Sequence, residues 1–364
     1  MEEYLPCVAM VTVQCIYAAV ALWCKAVFTG GMSTMVFVVY RQAVATIVLV
    51  PIAIVVNRRK LKQMISPGMA GFSLVFVAVL VGITLNLLLL YQGINLGSSS
   101  MAMALENLLP GITFFMAASV GLESVNIREL RTLAKILGTV VCLGGAMVMA
   151  FFKGPKLLSD VNIVLHTSAG SRWMTGALLV VGSTTCWSLW FLLQVPICKW
   201  YMDPLTLSTW TCLLSTLQSA LIVLVLQPDP NVWKIRSVFE LSGCLFVGVA
   251  GSGVTFFLQA WCIFVRGPLY SAMFNPLCTV ITTVLAAIFL SEELHVGSLL
   301  GATAIIGGLY VVLWGKAGDT KGKGKSAQEH REDVEAMVAQ LESQLDTGNS
   351  IEEPLLAGGN QVEK

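Results

Sequence analysis

"MAMALENLLPGITFFMAASVG" (residues 101–121) carries a single acid, Glu106, in a run that is almost wholly apolar or small. From Ser99 to Val120 the chain is long enough to cross a bilayer as a helix rising about 1.5 Å per residue. Glu106 falls about a third of the way in. A carboxylate at that depth costs on the order of a few kcal/mol, so it marks a pathway, a partner or a proton site. Its structural alternative is a satisfied hydrogen bond between helices.

Composition places that run in its class. The 364 residues are 56% hydrophobic and 12% charged, with a mean hydropathy of +0.79. Soluble domains carry about 25% charged residues, so the chain reads as an all-α polytopic membrane protein. A net charge of +1 provides no broad basic surface and excludes nucleic acid as an expected partner. Glu2 and Glu3 stand where a signal peptide would have a basic n-region, so the first apolar stretch is expected to be retained. The ten cysteines and three histidines show no metal-ligand spacing and no disulfide framework, and read as small buried hydrophobes and isolated rings. No phosphate loop, dinucleotide fingerprint, Ser–His arrangement or paired carboxylates appear, so neither catalytic residues nor a cofactor are expected.

Ten apolar stretches follow one another: about 7–29, 36–56, 70–92, 99–120, 133–152, 173–195, 205–226, 238–260, 268–290 and 296–314. With the N-terminus inside, the inner loops hold nine Lys and Arg against five in the outer loops, which places both termini in the cytoplasm. From about Ala317 the composition turns charged and small. Val334, Val338, Leu341 and Leu345 recur there at helical spacing, but an isolated helix of that length is marginal in water, so residues 316–364 are expected to be mostly disordered. "EEPLL" (352–356) resembles an acidic-dileucine sorting signal, with its acids closer to the leucines than usual.

The chain also resembles itself. "MAASVGLES" (116–124) aligns with "LAAIFLSEE" (285–293) at an offset of 169, and Gly138 and Gly144-Gly145 align with Gly301 and Gly307-Gly308 at an offset of 163. The loop with Arg128 and Arg131 has as its counterpart "SEELHVG" (291–297), without Lys or Arg. Five spans per half is an odd number, so the second half must insert upside down and its charge bias must move to match. The expected organisation is a first repeat over 7–152, an outer connecting loop over 153–172, a second repeat over 173–315 and the tail.

Depth sorts the polar residues. Lys25, Arg41, Asn86, Gln92, Glu106 and Asn107 fall in the outer half of the membrane, and Gln194, Gln259 and Asn275 toward the inner side. The offset of 169 carries Lys25 to Gln194 and Glu106 to Asn275, a mirrored set expected around a central cavity reached from both faces. Lys25 and Arg41 are also close enough to span ends to snorkel, and the glutamines could instead bond across helices. Pro110 and Pro276, beside Asn107 and Asn275, interrupt the hydrogen-bond ladder and are the candidate hinges.

"YRQAVATIVLVP" (40–51), "LGSSSMAMALENLLPGITF" (96–114), "ELRTLAKILGT" (129–139), "CWSLWFLLQVPICKWY" (186–201) and "AWCIFVRGPLYSAMFNPL" (260–277), in this order along two halves, carry a family resemblance. The chain resembles the plant nodulin-21 group of EamA-like transporters, with its Walls Are Thin relatives, in the drug/metabolite transporter superfamily. The resemblance covers about residues 7–315. It implies ten transmembrane helices as two inverted five-helix repeats, and transport of amino acids or auxin-like metabolites, often in both directions. The family's Asn three residues before Pro is met by Asn107 and Pro110. Of its span-3 pattern Asn-Gln-Asn-x-Tyr, Asn86 and Tyr91 remain.

The expectation is therefore a secondary carrier working by alternating access. Substrate-binding candidates are Lys25, Arg41, Asn86, Tyr91, Glu106, Asn107, Gln194, Trp261 and Asn275, and Glu106 is the candidate for proton coupling. Partners are a small substrate (an amino acid or an indole-type acid), membrane lipid and, as a candidate, a second copy of the chain. The expected location is the plasma membrane, with the vacuolar membrane as alternative. A channel, and a scaffold acting through its tail, are the competing readings.

Overall fold

The computed structural model describes residues 4–58, 68–96, 102, 105–122, 130–151, 170–235, 237–290, 297 and 299–315. Among them no strand occurs. The 153–172 connecting loop apart from its last three residues, the 291–296 loop and the 316–364 tail lie outside the described residues.

The first half contains α1 (Leu5–Thr29), α2 (Thr34–Val56), α3 (Gly68–Val79), a π-turn (π1, Leu80–Leu85), α4 (Asn86–Leu96), α5 (Leu109–Ser119) and α6 (Leu130–Phe151). The second contains α7 (Gly170–Trp200), α8 (Pro204–Leu226), α9 (Val238–Gly248), a second π-turn (π2, Val249–Val254), α10 (Thr255–Arg266), α11 (Pro268–Met273), α12 (Asn275–Leu290) and α13 (Leu299–Gly315). Among the described residues, seven helical segments are long and apolar enough to cross a membrane, with α3–π1–α4, α9–π2–α10 and α11–α12 each serving as one. Shorter apolar helices at Leu109–Ser119, Thr132–Val148 and Leu299–Gly315 fall in the fourth, fifth and tenth stretches of the sequence reading.

Local chemistry starts and stops these rods. Asp203 caps α8 by accepting from the Thr206 amide at 3.1 Å, with Pro204 in the first turn, where a missing N–H costs nothing. Ser237 caps α9 by accepting from the Phe239 amide. Gly267, at φ 89° and ψ 168°, ends α10 in a conformation open only to glycine and hands the chain to Pro268 of α11. Pro110 and Pro276 are likewise each the second residue of a helix, α5 and α12. They therefore start helices after a turn rather than bend one in mid-course. The prolines that do sit inside helices are Pro51 of α2 and Pro196 of α7.

Two features set how the rods pack. α2 and α8 run antiparallel and are tied at both ends. At one end Asn57 Nδ2 donates to both carboxylate oxygens of Asp203 (3.1 and 3.2 Å) and to Thr206 Oγ1 (3.0 Å). At the other, Ser33 donates to Gln227 Oε1 at 2.9 Å, and Tyr40 donates to the Trp233 carbonyl. α6 and α13 instead touch backbone to backbone. A Cβ on Gly138 would lie 2.7 Å from the Gly308 carbonyl oxygen, and one on Gly145 2.9 Å from that of Gly301. Without water in the surroundings, such close approach and its dispersion contacts hold apolar helices together. The largest core cluster joins α2, the α3–π1 rod, α7, α8 and α10 through Leu49, Val79, Ile83, Trp190, Phe191, Leu207 and Phe256.

Candidate functional site

A cavity of about 230 Å3 opens where α1, α2, the π1–α4 junction, α5, α7, α10 and α12 converge. Its polar wall combines Arg41 and Gln42 of α2, Asn86 of α4, Glu106, Ser183 and Thr184 of α7, Gln259 of α10 and Asn275 of α12. Its apolar wall combines Ile83, Leu87, Leu109, Trp187 and Phe256, with the Tyr17 ring alongside.

Several of the polar side chains are held by named partners. Arg41 donates from Nε to Ser252 Oγ at 3.1 Å; Ser252 lies within π2 and is fully buried. A π-turn inserts one residue into a helical turn, which re-aims side chains locally and accompanies functional sites. Asn86 is spoken for, donating to the carbonyl (2.9 Å) and Oγ (3.0 Å) of Ser183. Asn275 Nδ2 donates to the backbone carbonyl of Glu106 at 3.4 Å, which holds the start of α12 to the turn ahead of α5. That turn, Asn107–Leu108, is tied again by Thr279 Oγ1, which donates to Asn107 Oδ1 at 3.1 Å. Gln42 is 1% exposed and its Oε1 has no partner among the described residues, an uncommon state for a buried acceptor.

The base and the acid of the cavity wall, Arg41 and Glu106, are not joined by an ion pair in the described structure. A cation and an acid thus face one enclosed space with their charges unspent on each other. Such a site is complementary to a solute that carries both signs. The wall bears titratable and hydrogen-bonding groups but no cluster of His, Cys, Asp and Glu able to hold a metal among the described residues.

Of the residues singled out from sequence, Arg41, Asn86, Glu106 and Asn275 line the cavity, as does Gln259. Asn107 and Gln194 are each 2% exposed and do not line it. Trp261 packs against the cluster of Met10, Val13, Leu269 and Phe274 instead. Pro110 and Pro276 are buried in the first turns of α5 and α12. The side chains of Lys25 and Tyr91 lie outside the described residues. Sequence reasoning missed Tyr17, Gln42, Ser183, Thr184, Trp187, Ser252 and Phe256. Gln42 had a signal, an amide beside Arg41 in a long apolar helix. The Ser and Thr had none, because membrane helices satisfy such hydroxyls on their own carbonyls, as Thr184 does on Val180.

Comparison with known proteins adds the family. The model of the EamA-like transporter family matches twice, over residues 5–151 and 174–314. WAT1-related protein At4g30420 of Arabidopsis thaliana is 41% identical, with 98% of each chain covered. WAT1-related protein At4g28040 of the same plant is 44% identical over 88% of each chain, and its Protein WALLS ARE THIN 1 is 33% identical over 86% of this chain and 84% of the relative. A solved crystal structure aligns with a TM-score of 0.66 at 16% identity over 84% of this chain and 94% of the other, a likeness of fold alone.

Proposed function

The chain belongs to the EamA-like transporter family, in its plant WAT1-related group, and from that premise we propose that it is a secondary carrier of amino acids. The observation that carries this reading is the pair Arg41 and Glu106, facing one cavity and unpaired with each other. Arg41 takes the substrate carboxylate, pre-oriented by its bond to Ser252. Glu106 takes the ammonium, with the unpartnered Gln42 Oε1 as a second acceptor. Charge-assisted hydrogen bonds in an enclosed site are the strong ones, and fixed donors and acceptors cost little to arrange on binding. Glu106 is also the group able to carry a proton with the substrate.

Alternating access of two inverted five-helix repeats, 7–152 and 173–315, around this cavity belongs to the same proposal. Its support is positional. The two π-turns start 169 residues apart, as do Glu106 and Asn275, which bond to each other. The close contact of Gly138 with Gly308 turns into that of Gly301 with Gly145 under the offset of 163 seen in the sequence. Both termini face the cytoplasm in this reading, so the Ser33–Gln227 end of the α2–α8 pair is external. Labelling from outside should reach Asn231→Cys and spare Met202→Cys in a cysteine-light background. The plasma membrane is the proposed location.

An indole-type acid is the second reading. It offers Arg41 a carboxylate and Trp187 and Phe256 a ring, but leaves Glu106 facing no cation, and so ranks below the zwitterion. The deciding experiment is uptake of a panel of labelled amino acids and indole-3-acetate into proteoliposomes at two pH values, with the full chain and with residues 318–364 removed. Saturable, tail-independent amino-acid uptake is expected. Movement of none of these solutes by either protein would sink the carrier reading and favour a role through the tail.

A further inference from the structure

Beside the cavity lies a second, smaller space. Ile83 and Leu87 border the cavity and also a pocket of about 40 Å3. Val38 of α2 and Ile222 and Val223 of α8 complete much of its surface. The hydroxyls at its edge are all committed elsewhere. Thr84 donates to Gln218 Oε1 at 2.8 Å, Ser215 to the Cys212 carbonyl at 3.2 Å, and Ser219 to the Ser215 carbonyl. The pocket therefore presents hydrocarbon and no open donor.

Size and chemistry decide what fits. A bound water needs about 10–15 Å3 of such space and two to four polar partners. The pocket has room for roughly three such groups by that measure and nothing to hold them. Apolar pockets of this kind stay dry and take apolar guests. Three or four carbons fill it. A nine-atom indole ring does not enter.

We infer that this pocket receives the side chain of the carried amino acid, so that Ile83 and Leu87 make the carrier selective for short branched aliphatic substrates such as valine, leucine and isoleucine. The inference rests on the zwitterion reading above: Arg41 and Glu106 fix the charged end, and the side chain then points past Ile83 and Leu87. Burying one methylene is worth about fourfold in affinity. Leucine should therefore compete better than alanine by roughly tenfold or more, and tryptophan should not share that gain.

The test is counterflow in proteoliposomes of the full-length protein, with glycine, alanine, valine, leucine, phenylalanine and tryptophan as competitors. Ile83→Ala widens the junction that Ile83 lines on both sides, and should narrow the leucine-to-alanine ratio while admitting phenylalanine. Ile222→Phe fills the pocket from α8 without lining the polar cavity, and should abolish the leucine advantage over alanine. Two variants that change the pocket in opposite directions guard against a simple folding defect. If the wild-type protein moves amino acids but both variants keep its ranking, the side-chain pocket is wrong and the zwitterion site stands. If the wild-type protein moves no amino acid at all, both fall together.

Discussion

The α2–α8 seam and the Glu106–Asn275 crossing join helices in opposite ways. The seam pairs two unbroken helices of 23 residues each and ties them at both ends, with the Thr46 and Thr216 hydroxyls 3.4 Å apart near the middle. The crossing joins helices that start afresh at Leu109 and Asn275, through a long hydrogen bond of 3.4 Å to a backbone carbonyl and one of 3.1 Å from Thr279 to Asn107. Ties at both ends and a hydroxyl contact near the middle make the seam a stiff support. Turns, helix starts and a carboxylate not paired with Arg41 make the crossing the place where the proposed reading puts the substrate's charge. Rigid elements hold the site and interrupted ones shape it, which is how membrane transporters reconcile an irregular backbone with a medium that solvates none of it.

The largest effect should come from pushing on the back of α2. A Cβ on Gly248 would lie 2.6 Å from Val44 Cβ and 2.8 Å from the Arg41 carbonyl oxygen. Gly248→Leu should cost about 3 kcal/mol or more through overpacking and lower the yield of detergent-stable protein in size-exclusion profiles. Normal yield and normal thermal stability would show that the support is softer than described.

Next comes Arg41→Gln, which keeps the fold and removes the cavity's cation. Loss of a charge-assisted hydrogen bond worth about 1.5–3 kcal/mol corresponds to roughly 10- to 100-fold lower transport. Melting should fall by no more than the single bond to Ser252 is worth, about 1 kcal/mol, because the ties of the seam are untouched. Asn275→Ala unties the crossing instead. A neutral hydrogen bond is worth about 1 kcal/mol, so uptake should drop by roughly fivefold, again with folding retained. An equal loss of thermal stability in this variant would mean that the crossing is support as well.

The smallest effect belongs to Asp203 at one end of the seam. Burial alone would raise its pKa, but hydrogen bonds from the side chain and amide of Thr206 and from Asn57 outweigh burial and hold it below the ordinary aspartate value. A lowered pKa means a stabilising contribution that is present in full above the unfolded value of about 3.9 and fades as pH falls through the lower folded one. Asp203→Ala should cost about 1 kcal/mol at neutral pH, as N-cap losses do. The gap from wild type in detergent melting should close only in strong acid.

The same contrast explains what the sequence could reveal. Helices were legible because a bilayer demands long apolar runs, and Glu106, Arg41 and Asn275 stood out because hydrocarbon makes any polar residue conspicuous. The π-turns were not legible: Leu80–Leu85 is as apolar as the α-helices around it, and the glycines of Val249–Val254 are equally suited to plain helix packing. Nor could depth tell Gln194, which does not line the cavity, from Gln259, which does, since that depends on rotation about the helix axis. Ser252 stands between two glycines in an apolar run, and its bond to Arg41 spans 211 residues of chain.

Glu106 remains the sharpest point at which to test the whole account. Glu106→Gln keeps the shape and most hydrogen-bonding capacity of the side chain and removes its charge. The measurement is counterflow of a labelled zwitterionic amino acid into proteoliposomes holding equal amounts of folded wild-type and Glu106→Gln protein, across a range of pH. The account predicts saturable counterflow by the wild-type protein and a strong loss in the variant, with whatever pH dependence the wild-type protein shows flattened. Equal counterflow with equal pH dependence would contradict it, and would leave Glu106 as a structural residue between helices.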